Sequence, residues 1–403
     1  MSETQNLNSL DILLLSYLYK YRALSIEMGW FAVYRTAYPD FSSCYRSRIL
    51  PLIQSGIITY KPHPKHTYIL LLTPLGQDVL RQSQNLPRYI DNRRTLLKPS
   101  EIAIDDAQIP HQVALSDFMI KFSDLYRRKQ YSEELQVYVE TAVEKYDYMR
   151  PDGMLLLSDL RIFVEQDMGT ESRFMLSSKW GRYRRYLSSI KNENTSPIIV
   201  PFIIDTAPGS FTTRCDVIRR TAEVLFSHML DRQIEIFIGS EDELLKTMFQ
   251  VVLKDHFHEP TVASQIPSVF SQEGYRVVPG ESIAKYTGNT FFSWFVQRTV
   301  NGKIQPLQLQ GNQGNTKIPD LFVVDSFEGY PLSVIAKIMF LERSQSYFSV
   351  HFKQIKRLQY LVVGKSKDDL EVLRHQLVSV GFKGGLEVYF TVLGAGEVVR
   401  VGV

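Results

Sequence analysis

The stretch RPDGMLLLSDLRIFVEQD, residues 150–167, contains two apolar runs and three carboxylates, and it marks the start of an α/β core. Asp152 precedes the first run, and Glu165 and Asp167 close the second. Successive side chains of a strand point to opposite faces, so Glu165 and Asp167 project to the same face. Asp152 lies beside them if the two strands pair as a hairpin. The pattern predicts either three converging carboxylates or merely the polar ends of two strands.

Length and composition describe a multidomain globular protein. The chain has 403 residues, 44% of them apolar and 22% charged, and single cores rarely grow beyond about 300 residues, so we expect two or three domains. Its net charge of +3 is too small to identify a nucleic-acid partner without local clustering. Cys44 and Cys215 lack the spacing of a disulfide framework or zinc site. The polar N-terminus and the absence of a long apolar run predict a cytoplasmic protein without a membrane partner.

Residues 1–85 predict a winged helix-turn-helix. An amphipathic first helix is followed by a second that Ser25 caps, and by a third from about Phe41 to Gly56, kinked by Pro51 or ending near it. A hairpin with a basic tip and a Thr73–Pro74 helix start come next.

This domain carries candidate DNA contacts. Arg46 and Arg48 lie on the predicted recognition helix, and the wing offers phosphate contacts from Lys61, Lys65 and His66. The alternative is a winged helix that contacts proteins.

Residues 86–110 are polar, contain Pro87 and Pro99, and predict a linker. Strands then alternate with helices, which predicts an α/β domain over 111–250 with parallel strand pairs. The predicted elements are helix 111–128, strands 135–140, 154–157 and 161–166, helix 174–190, strand 198–204, helix 212–230 and strand 234–238.

Residues 251–403 predict a degenerate copy of that domain. Pro319-Asp320 parallels Pro151-Asp152, Lys353 parallels Lys179, and Val334–Phe340 is predicted as a strand. This register places Met339 against Glu165 and Leu341 against Asp167, so the copy loses the acidic pair. Chance similarity between two α/β segments is the alternative.

The acidic triad is suited to a divalent metal. Carboxylate oxygens are ligands for Mg²⁺ or Mn²⁺, which can activate water and stabilise charge during phosphodiester cleavage. The following helix contains six basic residues and no acid between Arg173 and Lys191, which predicts DNA contacts from Arg182, Arg184 and Arg185. A solvated helix face is the alternative. His111 and the tyrosines 146 and 148 are weaker candidates for chemistry.

The order of these motifs resembles two families. Pro151-Asp152 followed by Glu165-x-Asp167 resembles the PD-(D/E)-x-K core of restriction-endonuclease-like enzymes, and residues 8–240 resemble the replication-relaxation family of plasmids and mobile elements. The resemblance implies a nuclease-like domain, with Asp152 and Glu165 as metal ligands and Asp167 as a third, and the internal repeat implies that residues 251–403 form a second, degenerate nuclease-like domain. Asp167 stands where the nuclease pattern has lysine, and Lys179 is the candidate replacement for its charge.

The leading functional prediction is a DNA-binding protein of a plasmid or mobile element that nicks or cleaves DNA with Mg²⁺ or Mn²⁺. The alternatives are a non-catalytic DNA-binding or assembly factor and a protein-interaction adaptor. Expected partners are double-stranded DNA, other replication, mobilisation or transposition proteins, and a second copy in a homodimer.

Overall fold

The chain has a mixed α/β fold, as predicted. A computed structural model describes residues 7–84, 103–139, 149–189, 198–226, 234–272, 274–279, 294–300, 303–305, 321–344, 358–395 and 397–402. No helix among these residues is long and apolar enough to cross a membrane.

The chain forms two compact units. Unit 1 comprises Met1–Thr141 with Asp152–Ser158, and unit 2 comprises Ala142–Pro151 with Asp159–Val403. This division differs from the predicted boundaries, because the helix that follows the predicted linker packs with the N-terminal elements.

Unit 1 begins with the predicted order of three helices and a hairpin. Its elements are α1 (Ser9–Tyr21), β1 (Ala23–Ser25), α2 (Ile26–Gly29) with a π-helical extension (Trp30–Tyr34), α3 (Phe41–Cys44) continuing through a π-helical turn (Tyr45–Ile49) into α4 (Leu50–Gln54), β2 (Ile58–Pro62), β3 (Tyr68–Leu72), α5 (Pro74–Ser83), a 3₁₀ turn (Asp106–Gln108), α6 (Ile109–Lys129), β4 (Gln136–Val139) and β5 (Gly153–Leu156). Strand β3 pairs antiparallel with both β1 and β2, and β4 pairs antiparallel with β5.

Local sequence explains these boundaries. The Ser25 hydroxyl accepts the Met28 N–H at 3.1 Å, and the Thr73 hydroxyl accepts the Gly76 N–H at 3.0 Å, as expected for N-caps. The predicted stop at Gly56 is confirmed, since this residue has a φ of +71° directly after the third helix.

Helix α6 belongs to the core of unit 1. Ile109 and Val113 are buried in one cluster with Ala23 of β1 and Ile69 of β3. This apolar contact joins α6 to the N-terminal sheet across the residues predicted as a linker.

Unit 2 contains two α/β halves. The first half, residues 161–239, contains β6 (Arg161–Asp167), α7 (Arg173–Ser189), β7 (Ile198–Ile204), α8 (Pro208–Phe226) and β8 (Ile234–Gly239). Its three strands are parallel, with β7 in the centre. The predicted β-α-β-α-β order is confirmed here.

The second half, residues 321–392, has the same order. It contains β12 (Leu321–Ser326), α12 (Leu332–Arg343), β13 (Leu358–Gly364), α13 (Asp368–Ser379) and β14 (Glu387–Val392). These three strands are also parallel.

The remaining elements of unit 2 connect or extend the halves. They are α9 (Glu241–Thr247) with a π-helical turn (Met248–Val252), α10 (Leu253–His256), α11 (Val262–Gln272), β9 (Tyr275–Pro279), β10 (Trp294–Val300), β11 (Lys303–Gln305) and β15 (Val398–Arg400). Strands β9, β10, β11 and β15 extend the second sheet by antiparallel pairing.

The strand predicted at Val334–Phe340 is wrong, because these residues lie inside helix α12. Most of that helix is buried, so residues 334–340 are apolar except for Lys337 and lack the polar face that would indicate a helical period. The predicted repeat markers Pro319-Asp320 and Lys353 lie outside the described residues. By element order, β6 corresponds to β12 and α7 to α12.

Candidate nucleic-acid interface and buried carboxylate site

Glu165 is the carboxylate of a buried ion pair, and it accepts a further hydrogen bond from a tyrosine. It is 2% exposed at the carboxyl end of β6. Lys179 of α7 donates to its Oε2 at 2.9 Å, and the Tyr183 hydroxyl donates to its Oε1 at 2.7 Å. The Lys179 ammonium also lies 3.1 Å from the Glu171 carboxylate. Both donors come from one face of α7, so the pair anchors this helix to the sheet.

Asp167 is held by a different cation. Arg214 of α8 donates through Nε to Oδ2 at 2.6 Å and through Nη2 to Oδ1 at 2.8 Å. Its third nitrogen donates to the Glu171 backbone carbonyl at 2.7 Å. This bidentate fork fixes α8 and the β6–α7 loop to the end of the strand.

These contacts test whether the predicted acidic set fits a divalent metal. Each of the four oxygens of Glu165 and Asp167 accepts a donor, and three of the four donors belong to cationic groups. A metal would have to displace the cations or share their oxygens against charge repulsion. The two carboxylates as arranged do not fit an open Mg²⁺ or Mn²⁺ site. Among the described residues, no group of three His, Cys, Asp or Glu side chains could hold a metal ion.

Asp152, the third member of the predicted set, belongs to unit 1. Its Oδ2 lies 3.3 Å from Nε2 of His111, at the start of α6. Both side chains are partly exposed, at 23% and 30%. His111 therefore contacts one of the three predicted metal ligands, a pairing that sequence spacing did not predict.

The second half contains a comparable ion pair. Asp325 of β12, 1% exposed, accepts a hydrogen bond from Lys337 of α12 at 3.0 Å and a second from the Tyr360 hydroxyl. Burial, together with the Asp325 charge, raises the pKa of Tyr360 well above its ordinary value. The predicted repeat register was wrong, because by element order Asp325 takes the place of Glu165. The pair of acids is still not kept, since the buried Phe327 stands two positions later.

A polar cavity lies beside that pair. It has a volume of about 300 Å³, and its lining includes Asp325, Lys337 and Glu235 of β8. The Glu235 carboxylate accepts hydrogen bonds from the backbone N–H of Ser333, at 3.0 Å, and from its hydroxyl. Burial raises the pKa of Glu235 to about 6 and outweighs these bonds, which lower it.

A basic groove runs between α7 and α8. Its volume is about 310 Å³, and it is lined by Arg173, Ser177, Trp180, Gly181, Arg184, Val217, Arg220 and Thr221. The Trp180 indole N–H donates to the Thr221 hydroxyl at 3.0 Å and joins the two helices. The lining contains three arginines and no carboxylate. The groove is thus an apolar cleft with guanidinium groups at its edges.

The predicted stripe on α7 divides between the groove and the surface beside it. Arg184 lines the groove and is exposed, whereas Arg185 is exposed and Arg182 half-buried outside the lining. The interleaved aromatics Trp180, Tyr183 and Tyr186 are buried. The helix therefore has an aromatic core face and a basic solvent face.

Sequence reasoning missed Arg214 and Arg220 of α8. Arg220 lines the groove, and its Nε donates to the Ser379 carbonyl of α13. They are six residues apart, about 600° of helix rotation, so they lie on different faces of α8 and no single basic stripe signalled them.

The predicted DNA contacts of unit 1 have different environments. Arg46 is exposed, but Arg48 donates to the fully buried carboxylate of Asp11, with its Nε 3.1 Å from Oδ1. Asp11 also accepts the Tyr34 hydroxyl at 2.8 Å. Arg48 thus joins the third helix to α1 within unit 1.

The hairpin residues are accessible. Lys65 is exposed, His66 is half-buried, and Lys61 forms an ion pair with the exposed Asp106. An exposed pair of this kind contributes little to stability, so Lys61 can exchange this partner for a phosphate.

Residues 37–200 match the family model described as Replication-relaxation. This segment is similar to the replication-relaxation family. The match covers less than half of the 403 residues, and it includes β6 and all of α7. No curated protein and no solved structure matches the chain.

Proposed function

We propose that this chain is a non-catalytic DNA-binding factor in plasmid or mobile-element replication or relaxation, and that the α7–α8 groove binds the phosphate backbone. The observation that carries the proposal is the exposed guanidinium cluster of Arg173, Arg184 and Arg220 around a cleft without carboxylates. Each phosphate contact releases counterions from DNA, so binding through this cluster weakens steeply as salt rises.

The ion pairs of β6 support the non-catalytic alternative. Glu165 and Asp167 are each neutralised by a cation from a helix, which gives both carboxylates a role in fixing α7 and α8. That role places the basic faces of the two helices side by side. Metal-dependent nicking through Asp152, Glu165, Asp167 and Lys179 stays a prediction from the sequence.

Unit 1 supports the proposal through its helix order and hairpin. We propose that this region acts as a winged helix, with Arg46 and Lys65 accessible for DNA contacts. Arg48 is assigned to the Asp11 ion pair instead. Arg46 and Lys65 are therefore proposed as DNA contacts, whereas Arg48 is proposed as a scaffold residue.

Two assays on the full chain test the proposal. Fluorescence anisotropy with a labelled duplex across a salt series is expected to give a linear fall of log affinity with log salt. Incubation of supercoiled plasmid with Mg²⁺ or Mn²⁺ is expected to leave it intact. Nicking by the wild type but not by an Asp152→Ala/Glu165→Ala double variant would overturn the non-catalytic assignment. Salt-insensitive binding, or absence of binding to both the duplex and a single strand of the same sequence, would overturn the DNA-binding role.

A further inference from the structure

The most exposed of the large apolar side chains among the described residues lies at the start of α7. Phe174 is 82% exposed, and its neighbour Met175 is 51% exposed. A phenyl ring left in water forgoes the stabilisation that burial would provide. A single exposed apolar side chain is ordinary on a protein surface, so what Phe174 can bind depends on the groups beside it.

Helical spacing places Phe174 beside the basic groove. The groove residues of α7 follow a stripe, Arg173, Ser177, Trp180, Gly181 and Arg184. Phe174 precedes Ser177 by three residues and Gly181 by seven, so it borders that stripe near its N-terminal end. Met175 is one further residue, about 100° of helix rotation, away from it.

The chemistry of this surface distinguishes two forms of DNA. A duplex presents phosphates outward and keeps its bases stacked inside, so it needs only the arginines. A single strand offers phosphates and unstacked bases together, and proteins bind it with basic grooves and aromatic stacking platforms. The three guanidinium groups, the apolar cleft and the exposed ring match the second form.

We propose that the α7–α8 groove binds single-stranded DNA, with phosphates held by Arg173, Arg184 and Arg220 and a base stacked on Phe174. The inference rests on the proposed DNA-binding function and deepens it by naming the substrate form. Arg220 is a positioned contact residue, because the Ser379 carbonyl of α13 fixes its Nε. The proposed ligand is a single strand, and tighter binding to a duplex would count against it.

The test compares affinities for a labelled single strand about 15 nucleotides long and for a duplex of the same sequence. We expect Phe174→Ala to weaken single-strand binding about tenfold, since base stacking contributes about 1–3 kcal/mol, and to leave duplex binding unchanged. Phe174→Leu, which keeps apolar bulk without a ring, should lose nearly as much. Met175→Ala and Val378→Ala, at exposed apolar positions outside the groove lining, are the matched controls.

The outcomes separate the two proposals. Equal effects of Phe174→Ala and the controls, or tighter duplex than single-strand binding by the wild type, would overturn the single-strand inference while leaving DNA binding intact. Absence of binding to both oligonucleotides would overturn the proposed function itself. Unchanged thermal unfolding of the Phe174 variants confirms that the altered affinity is a binding effect.

Discussion

The two α/β halves of unit 2 bury the same kind of ion pair but expose different helix surfaces. In each half, a carboxylate on the first strand binds a lysine from the following helix and a tyrosine hydroxyl: Glu165, Lys179 and Tyr183 in the first half, and Asp325, Lys337 and Tyr360 in the second. The shared pair is explained by the shared topology, since a helix that returns across a parallel sheet needs one fixed point.

The helices differ in what covers them. Helix α12 packs against α8 and β8, and Arg343 is its only exposed residue. Its Nη1 binds the buried Glu223 of α8 at 2.9 Å. Helix α7 instead has exposed arginines, an exposed phenylalanine and the groove. The comparison indicates that the buried pair is scaffolding common to both halves, and that the exposed basic surface proposed to bind DNA occurs on α7 of the first half and not on α12.

Removing either lysine tests the scaffolding role and should give the largest effect. Lys179→Met and Lys337→Met each leave a buried carboxylate without its cation, so each should lower the free energy of unfolding by about 3–5 kcal/mol. Urea unfolding measures the loss. The double variants Glu165→Gln/Lys179→Met and Asp325→Asn/Lys337→Met should recover part of it. A loss in only one half would break the equivalence of the pairs.

Arg214 marks a difference between the two halves, because its partner Asp167 has no counterpart in the second half. Two positions after the buried carboxylate, the first strand has Asp167, and the second half has the buried Phe327. Arg214→Met should cost about 3 kcal/mol by leaving Asp167 buried without its cation. Arg214→Lys keeps the charge but not the fork, so thermal unfolding should show an intermediate loss. Equal stability of the Met and Lys variants would contradict the bidentate role.

Glu235 gives a smaller effect that depends on pH. Its pKa rises from 4.5 to about 6 in the folded protein, so folding favours the protonated form. The stability that this provides is present below pH 4.5 and is lost as pH rises through about 6. Glu235→Gln keeps an uncharged acceptor and should stabilise the protein at pH 7 by up to about 2 kcal/mol. Unfolding at pH 4 and pH 7 measures the difference, and a variant equally stabilised at both would exclude ionisation as the cause.

Sequence patterns predicted the first half almost element by element, because its strands are short apolar runs and its helices have polar faces. They failed at α12, where burial on nearly all sides removes the polar face that would mark a helix. The Pro-Asp dipeptide and the lysine-tyrosine pattern then suggested a wrong repeat register, which hid Asp325 and Lys337. Same-face projection of Glu165 and Asp167 was a sound expectation for a strand. It could not reveal that cations from two helices, fourteen and forty-seven residues later in the chain, bind these carboxylates.

The central claim is that, of the two halves of unit 2, only the first binds DNA, and one paired measurement tests it most directly. The variant Arg173→Gln/Arg184→Gln/Arg220→Gln and a control, Lys365→Gln/Lys367→Gln/Lys383→Gln in the second half, remove the same charge. Salt-dependent anisotropy on the same DNA should show the slope of log affinity against log salt falling by about 2–3 for the arginine variant, which loses three phosphate contacts. The lysine control should keep a slope close to that of the wild type. Equal reductions in both would contradict the account, because net charge rather than the groove would then determine binding.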